Sequence, residues 1–251
     1  MQLTDVMDAV ELTRQMIDIP SVSGDEGPLA DAVEAVLRDA GFGSLPALEI
    51  LRDGDAVCAR TRLGLSQRVV LAGHLDTVPI ADNVPGRYEE RDGVAVLWGR
   101  GAVDMLGGCA AALALAREVG EAIRGGDEAA LSVDVTWIFY DHEEVASHLN
   151  GLGRVHRNHP EWLAGDLALL GEPTASHVEG GCNGTLRVIA HFPGRAAHSA
   201  RAWMGDNAIH AMAPVIGRIA AHGNPVVTVD GLEFRESLSV VRVEGGIANN
   251  V

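Results

Sequence analysis

Two side chains capable of chemistry close a short apolar run. The stretch Val69–Pro79 reads VVLAGHLDTVP. His74 and Asp76 alternate along an extended chain, so both side chains point the same way. An imidazole with a carboxylate two residues on suits a metal ligand with its orienting partner. The same pair often follows a strand for structural reasons, so its meaning depends on what joins it. Three other places supply acids. Asp104 lies in the glycine-rich turn Gly99–Gly108. Glu143 and Glu144 come directly after the apolar run Val133–Tyr140, and Glu172 follows Leu167–Leu170.

Carboxylates brought together repel and raise one another's pKa. A divalent cation removes that cost, and imidazole with carboxylates suits zinc or another first-row metal. Two metals ~3.5–4 Å apart would share one bridging carboxylate. In the adjacent pair, one glutamate can bind metal while its neighbour stays free to take a proton from water and pass it to a leaving amine. Glu-Glu pairs are commonly solvated surface features; the position after VTWIFY argues for a site. His198 sits between Arg195 and Arg201, a cluster that would meet a phosphate or carboxylate; an exposed basic loop fits those residues equally well. The other histidines read as surface or core.

Elements must carry these groups to one place. Val69–Ala72 is a β-branched, apolar run that fits a strand buried on both faces, and Val133–Tyr140 and Leu167–Leu170 are further buried strands. Ligands in open α/β sheets bind beyond the carboxyl ends of such strands. Val6–Ile17 has helical spacing with Thr4 and Asp5 as caps, and Asp25 and Glu26 lead a second helix ending at Gly41. Ala47–Arg52 and Ala56–Thr61 flank Asp53-Gly54 as a hairpin. Asn83–Asp92 reads as loop, Val94–Trp98 as a short strand, and Cys109–Val119 as a strong helix. Beyond a boundary near Ala175–Glu179 the texture changes. Cys182–Phe192, Pro225–Val229 and Leu238–Val243 are predicted strands, and Asp206–Ala221 is an amphipathic helix.

The 251 residues carry 19 basic and 35 acidic side chains, a formal charge of −16, which argues against nucleic acid and anionic membrane surfaces as partners. Cys58, Cys109 and Cys182 are widely spaced, as in a reducing cytosol. Neither a signal peptide nor a membrane span is expected.

The order GHLDTVP, GRGAVD, HEE, GEPT and AAHSAR resembles the acetylornithine deacetylase/succinyl-diaminopimelate desuccinylase family of di-zinc amidohydrolases and metallopeptidases. The similarity runs from Ile19–Glu26 to Gly245–Val251. With GTLR and GDNAIH added, it is most similar to the actinobacterial desuccinylase branch. The resemblance implies an α/β fold: a mixed, mainly parallel sheet flanked by helices, with an inserted α+β lid and dimerisation domain. The catalytic part would cover residues 1–177 and the first part of the lid residues 178–251. His74 and Glu172 would bind one zinc, Asp104 would bridge, and Glu144 would bind the second, with cobalt as an alternative metal. Asp76 would orient His74, and Glu143 would be the general base and acid. His198 would reach the active site of a second subunit and stabilise the oxyanion. Thr185, Arg201, Asn249 and Asn250 would hold the substrate, and a guanidinium suits a dicarboxylate.

The implied reaction is removal of succinate from N-succinyl-LL-2,6-diaminopimelate, in cytoplasmic lysine and diaminopimelate biosynthesis, by a homodimer. Related N-acyl-amino-acid deacylases, such as acetylornithine deacetylase or aminoacylase, share the chemistry. Val251 stands where the family continues into an Ile-Pro-Asp turn, so the resemblance implies a chain shortened at its C-terminal end. The second zinc site is then left with Asp104 and Glu144, and a fragment retaining only metal binding or a dimer surface is the contrasting expectation. Leu106, where relatives carry lysine, and His142 also depart from the pattern.

Overall fold

The computed structural model describes residues 3–4, 7–127, 131–181 and 183–251. They form two compact units, Met1–Ser176 and His177–Val251.

In the first unit, helices α1 (Ala9–Ile17) and α2 (Gly27–Asp39) precede the strands β1 (Leu48–Asp53), β2 (Ala56–Thr61) and β3 (Arg68–His74). A ribbon of β4 (Arg87–Arg91) and β5 (Val94–Trp98) follows, then α3 (Gly107–Arg124), β6 (Asp134–Tyr140), α4 (Gly151–Asn158) and β7 (Leu167–Leu170). The main sheet has the order β1-β2-β6-β3-β7. β1 and β2 are antiparallel, as are β2 and β6, whereas β3 runs parallel to both β6 and β7. Strands β3, β6 and β7 therefore deliver their carboxyl ends to the same edge.

Alternation along the strands feeds two cores. Val57, Ala59, Val135, Trp137 and Phe139 face a layer built from α1, α2 and α3. Ala56, Cys58, Ile138 and Tyr140 face the other way, against Val155 of α4 and Trp162. Phe42 meets Trp137 edge-on, with centroids 5.8 Å apart. Cover on both faces explains why every residue of β6 is buried.

Several elements differ from expectation. Asp8, rather than Thr4 or Asp5, caps α1, its carboxylate accepting from the N–H groups of Val10 and Glu11. Thr4 instead donates its N–H to Gln15 Oε1 at 2.8 Å; Asp5 and Val6 lie outside the described residues. The segment read as loop before Val94 is half of a hairpin. Asp92 and Gly93 both adopt left-handed backbone, φ +52° and +77°, as the tightest hairpin turn requires. Arg87–Arg91 is polar and largely exposed, so it shows no apolar alternation by which to recognise it; its partner Val94–Trp98 is the strand expected. β7 was predicted buried, yet it forms the sheet edge and all four of its residues are exposed. Among the described residues nothing pairs with its outer side.

In the second unit, α5 (Ala208–Ala220) is capped by Asn207, whose Oδ1 accepts from His210 N–H at 3.1 Å. β8 (Val226–Val229) pairs with β9 (Leu232–Arg235) through Asp230-Gly231, a partner strand the sequence pattern did not reveal. The predicted strands 182–192 and 238–243 carry no ladder among the described residues, and Cys182 lies outside them. Their alternation marks a face to bury, but a strand also needs a neighbour for its N–H and C=O groups. Leu186 and Val241 stay 87% and 82% exposed.

Candidate metal centre

His74, the last residue of β3, is buried. Its Nδ1 lies 2.9 Å from the Asp76 carbonyl oxygen and 3.5 Å from Asp76 Oδ1. Nδ1–H donates to that carbonyl, which leaves Nε2 as the nitrogen facing outward. Nε2 lies 3.1 Å from Asp104 Oδ1 and 3.9 Å from Glu172 Oε1. One ligand atom from each of His74, Asp104 and Glu172 lies within 4.8 Å of the others, and among the described residues no other group of three metal-ligating side chains comes together.

The backbone around these groups is built for close approach. Gly101 has φ +71°, and a side chain there would strike Thr77 Cγ2 at 2.5 Å. Asp104 interrupts a helical turn with extended backbone, φ −121° and ψ 99°, before a cis peptide to Met105. Gly108 lies directly against the Gly171 backbone, bringing the start of α3 to the turn that carries Glu172. Two sulfurs hold the His74 backbone: its N–H donates to Met105 Sδ and its carbonyl accepts from Cys109 Sγ, each at 3.2 Å.

Asp76 is fully buried. Its Oδ1 accepts the N–H of Glu143 at 2.9 Å, and its Oδ2 accepts those of Glu144 at 3.0 Å and the Ser23 hydroxyl at 2.8 Å. Burial favours its neutral form, but His74 and these donors outweigh burial and hold Asp76 at about 2. For His74, burial favours the neutral ring; the Asp76 carboxylate, its carbonyl and the charge of Glu172 override that and raise it to about 9. Glu172 is pushed up by burial and by Asp104, Glu143 and Glu144, against the pull of His74. Glu144 is pushed up by burial, then by Asp104. The site thus gathers more negative charge than one imidazolium relieves, and an outward-facing imidazole nitrogen with two carboxylates is a donor set that fits a divalent metal.

Glu143 and Glu144 are exposed at the end of β6, on the same sheet edge. Neither belongs to the group of three. In the second unit, His198 caps a short helical turn, Ser199–Met204, within which Arg201 N–H donates to the His198 carbonyl. Ser199 N–H donates to the Asn250 carbonyl at 2.8 Å, which brings Asn250 beside His198. His198 Nδ1 accepts the Ala200 N–H at 3.1 Å, leaving Nε2 to carry the ring proton. Thr185 and Asn249 stand exposed on the same unit.

Sequence reasoning missed Ser23 and Glu26. Both lie in the segment read as a turn and helix lead, and both contact the turns that carry site residues. Nothing local distinguishes such residues from an ordinary turn and helix cap.

The doubly covered mixed sheet is an α/β architecture that gathers an imidazole and two carboxylates beyond the carboxyl ends of its parallel strands, a set that could hold a divalent metal. Residues 70–236 match the model of peptidase family M20/M25/M40, and the chain belongs to that family. The sequence is 48% identical over 244 residues to a succinyl-diaminopimelate desuccinylase of Corynebacterium glutamicum, covering 97% of this chain and 63% of that protein. A Mycobacterium tuberculosis protein provisionally given the same name is 50% identical, with 97% and 64% covered. This chain therefore spans just under two thirds of the length of these curated relatives. A tripeptidase structure from Staphylococcus aureus matches with a TM-score of 0.62 at 16% identity, over 99% of this chain and 63% of that one, a likeness of fold.

Proposed function

We propose that this chain is the larger part of a metal-dependent amide hydrolase that removes succinate from N-succinyl-LL-2,6-diaminopimelate. The observation carrying this reading is the meeting of His74, Asp104 and Glu172 at one sheet edge, with ligand atoms within 4.8 Å of one another. The near-half identity to named desuccinylases supports the choice of acyl group.

A divalent metal bound there, zinc or cobalt, would supply Lewis acidity toward the amide carbonyl and acidify the attacking water. His74 offers Nε2 because Asp76 occupies Nδ1, the arrangement that fixes a ligating imidazole. Glu172 would complete the first set, and Asp104 would serve both. Glu144, with Asp104, offers part of a second set. Glu143 stays unliganded; it takes a proton from water and delivers it to the leaving amine. His198 donates from Nε2 to the developing oxyanion in a second copy of the subunit, and Arg201, Thr185, Asn249 and Asn250 hold the substrate's carboxylates. The second unit is then the first part of a lid through which two subunits pair. The setting is the cytoplasm, with neither nucleic acid nor membrane as partner.

The test is an assay of the full-length subunit on N-succinyl-LL-diaminopimelate and N-acetylornithine, before and after chelation. Preferential hydrolysis of the succinyl substrate, lost on chelation and restored by zinc or cobalt, is expected. Activity that survives exhaustive chelation, or preference for acetylornithine, contradicts the proposal.

A further inference from the structure

We propose that Glu26 is a positioning residue for Glu143, an inference that rests on the general-base role just given to Glu143. Glu26 stands at the N-terminal end of α2, yet its side chain makes no capping bond to that helix. It is fully buried. A buried carboxylate is costly unless hydrogen-bonded, and its partners lie elsewhere. Both oxygens accept from Gly24 N–H at 3.0 Å, and Oε1 accepts from His142 N–H at 3.2 Å. His142 Nδ1 also lies 3.4 Å from Oε1.

The bond to His142 matters because of what comes next. Three consecutive backbone N–H groups, those of His142, Glu143 and Glu144, all point at buried carboxylates: the first at Glu26, the other two at Asp76. The turn they form needs such anchoring, since His142 adopts left-handed backbone with φ +59°. Non-glycine residues there persist when their surroundings over-determine them. Upstream, Asp141 is fixed by Arg154, at 2.6 and 3.0 Å, and by the Gly151 N–H on its carbonyl. The segment Ser21–Glu26 braces both carboxylates at once: Ser23 Oγ donates to Asp76, Gly24 N–H donates to Glu26, and the Ser21 carbonyl accepts from Thr77 N–H. Glu26 therefore sets where the chain enters the Glu143-Glu144 turn, without touching His74, Asp104 or Glu172.

This separates Glu26 from Asp76. Asp76 bonds to His74, so its loss disturbs metal binding and the turn together. Loss of Glu26 disturbs the turn, Glu144 included, and leaves His74, Asp104 and Glu172 in place. A displacement of about 1 Å in a catalytic group costs on the order of a hundredfold.

The experiment compares Glu26→Gln, Glu143→Gln and the double variant in the full-length, metal-loaded subunit. It follows kcat, KM, bound metal and amide hydrogen exchange of the peptide spanning His142–Glu144. Glutamine keeps the size and one acceptor oxygen, but it removes the charge and replaces the second oxygen facing Gly24 N–H with an N–H₂. Glu26→Gln is expected to lower kcat about 10- to 100-fold, with KM within about twofold, the metal assigned to His74, Asp104 and Glu172 retained and faster exchange across His142–Glu144. The double variant is expected to be no slower than Glu143→Gln alone, because both changes act on one step. Losses that multiply, metal lost in step with kcat, or unchanged exchange overturn the inference. Glu143→Gln retaining full kcat would instead overturn the general-base role on which it stands.

Discussion

The two compact units satisfy their side chains to very different degrees. In Met1–Ser176, helices cover both faces of the sheet, and its apolar side chains form two continuous cores. The candidate metal group sits at that sheet edge: His74 and its partner Asp76 are buried, and Asp104 and Glu172 beyond them are more exposed. In His177–Val251 the local pieces are well formed, a capped helix and a tight hairpin, but no described residue of α5 is buried. Leu186, Ile189 and Val241 stand in the open. Local capping and turn chemistry are enough to shape an element; burying it takes a second layer. The candidate metal group His74, Asp104 and Glu172 lies wholly in the unit that has two cores.

That contrast can be broken at several points, the strongest first. His74→Ala removes the ligand that both cores hold in place. Loss of an outer partner alone costs about 10- to 100-fold in metal affinity, so loss of the ligand itself should cost more, with activity abolished, as measured by calorimetric metal titration and turnover. Substituting the exposed Arg201 should leave metal affinity unchanged, since it belongs to the other unit.

Leu113, on α3, is fully buried in the first core. Leu113→Ala is expected to destabilise the first unit by about 2–5 kcal/mol in denaturant titration. A smaller loss would mean that this core is looser than its burial implies.

Asp134 tests polar anchoring at the start of β6. Burial works to raise its pKa, but the Thr61 hydroxyl at 2.5 Å and the N–H groups of Leu63 and Leu65 at 3.0 Å outweigh it and hold it below the usual carboxylate value. A lowered folded pKa means that the unfolded chain binds the proton more readily. The stabilisation is therefore present above the ordinary value of 3.8 and lost as pH falls through the lower folded value. Asp134→Asn should cost about 1–3 kcal/mol at neutral pH and flatten the acid limb of the stability profile. Leu186→Ala marks the other extreme. At 87% exposure it should change stability by less than about 0.5 kcal/mol in this chain.

Much of this arrangement was legible in the residues. The hairpin around Asp53-Gly54, the parallel core strands and the acids at their ends follow from alternation, turn chemistry and apolar runs. What the pattern hid has physical reasons. β4 (RYEER) is polar and largely exposed, so it carries no periodic apolar signal, whereas its partner Val94–Trp98 was legible as a strand. β7 reads as a buried strand because Leu167–Leu170 is wholly apolar, but burial depends on neighbours that its own residues cannot reveal. Strands 182–192 and 238–243 show the right alternation and lack pairing partners among the described residues. Glu26 resembles any acid leading a helix; only tertiary contact turns it toward His142. Asp76 was legible as a partner of His74 but not as the acceptor for the Glu143 and Glu144 N–H groups.

The most direct measurement is the position of bound zinc, located by anomalous X-ray scattering at the zinc edge in crystals of the zinc-loaded protein. The expected result is an ion at about 2.0–2.2 Å from His74 Nε2 and from carboxylate oxygens of Asp104 and Glu172. Zinc-loaded crystals with the ion elsewhere, or with no ion among these three side chains, would contradict the assignment of this sheet edge as a metal centre.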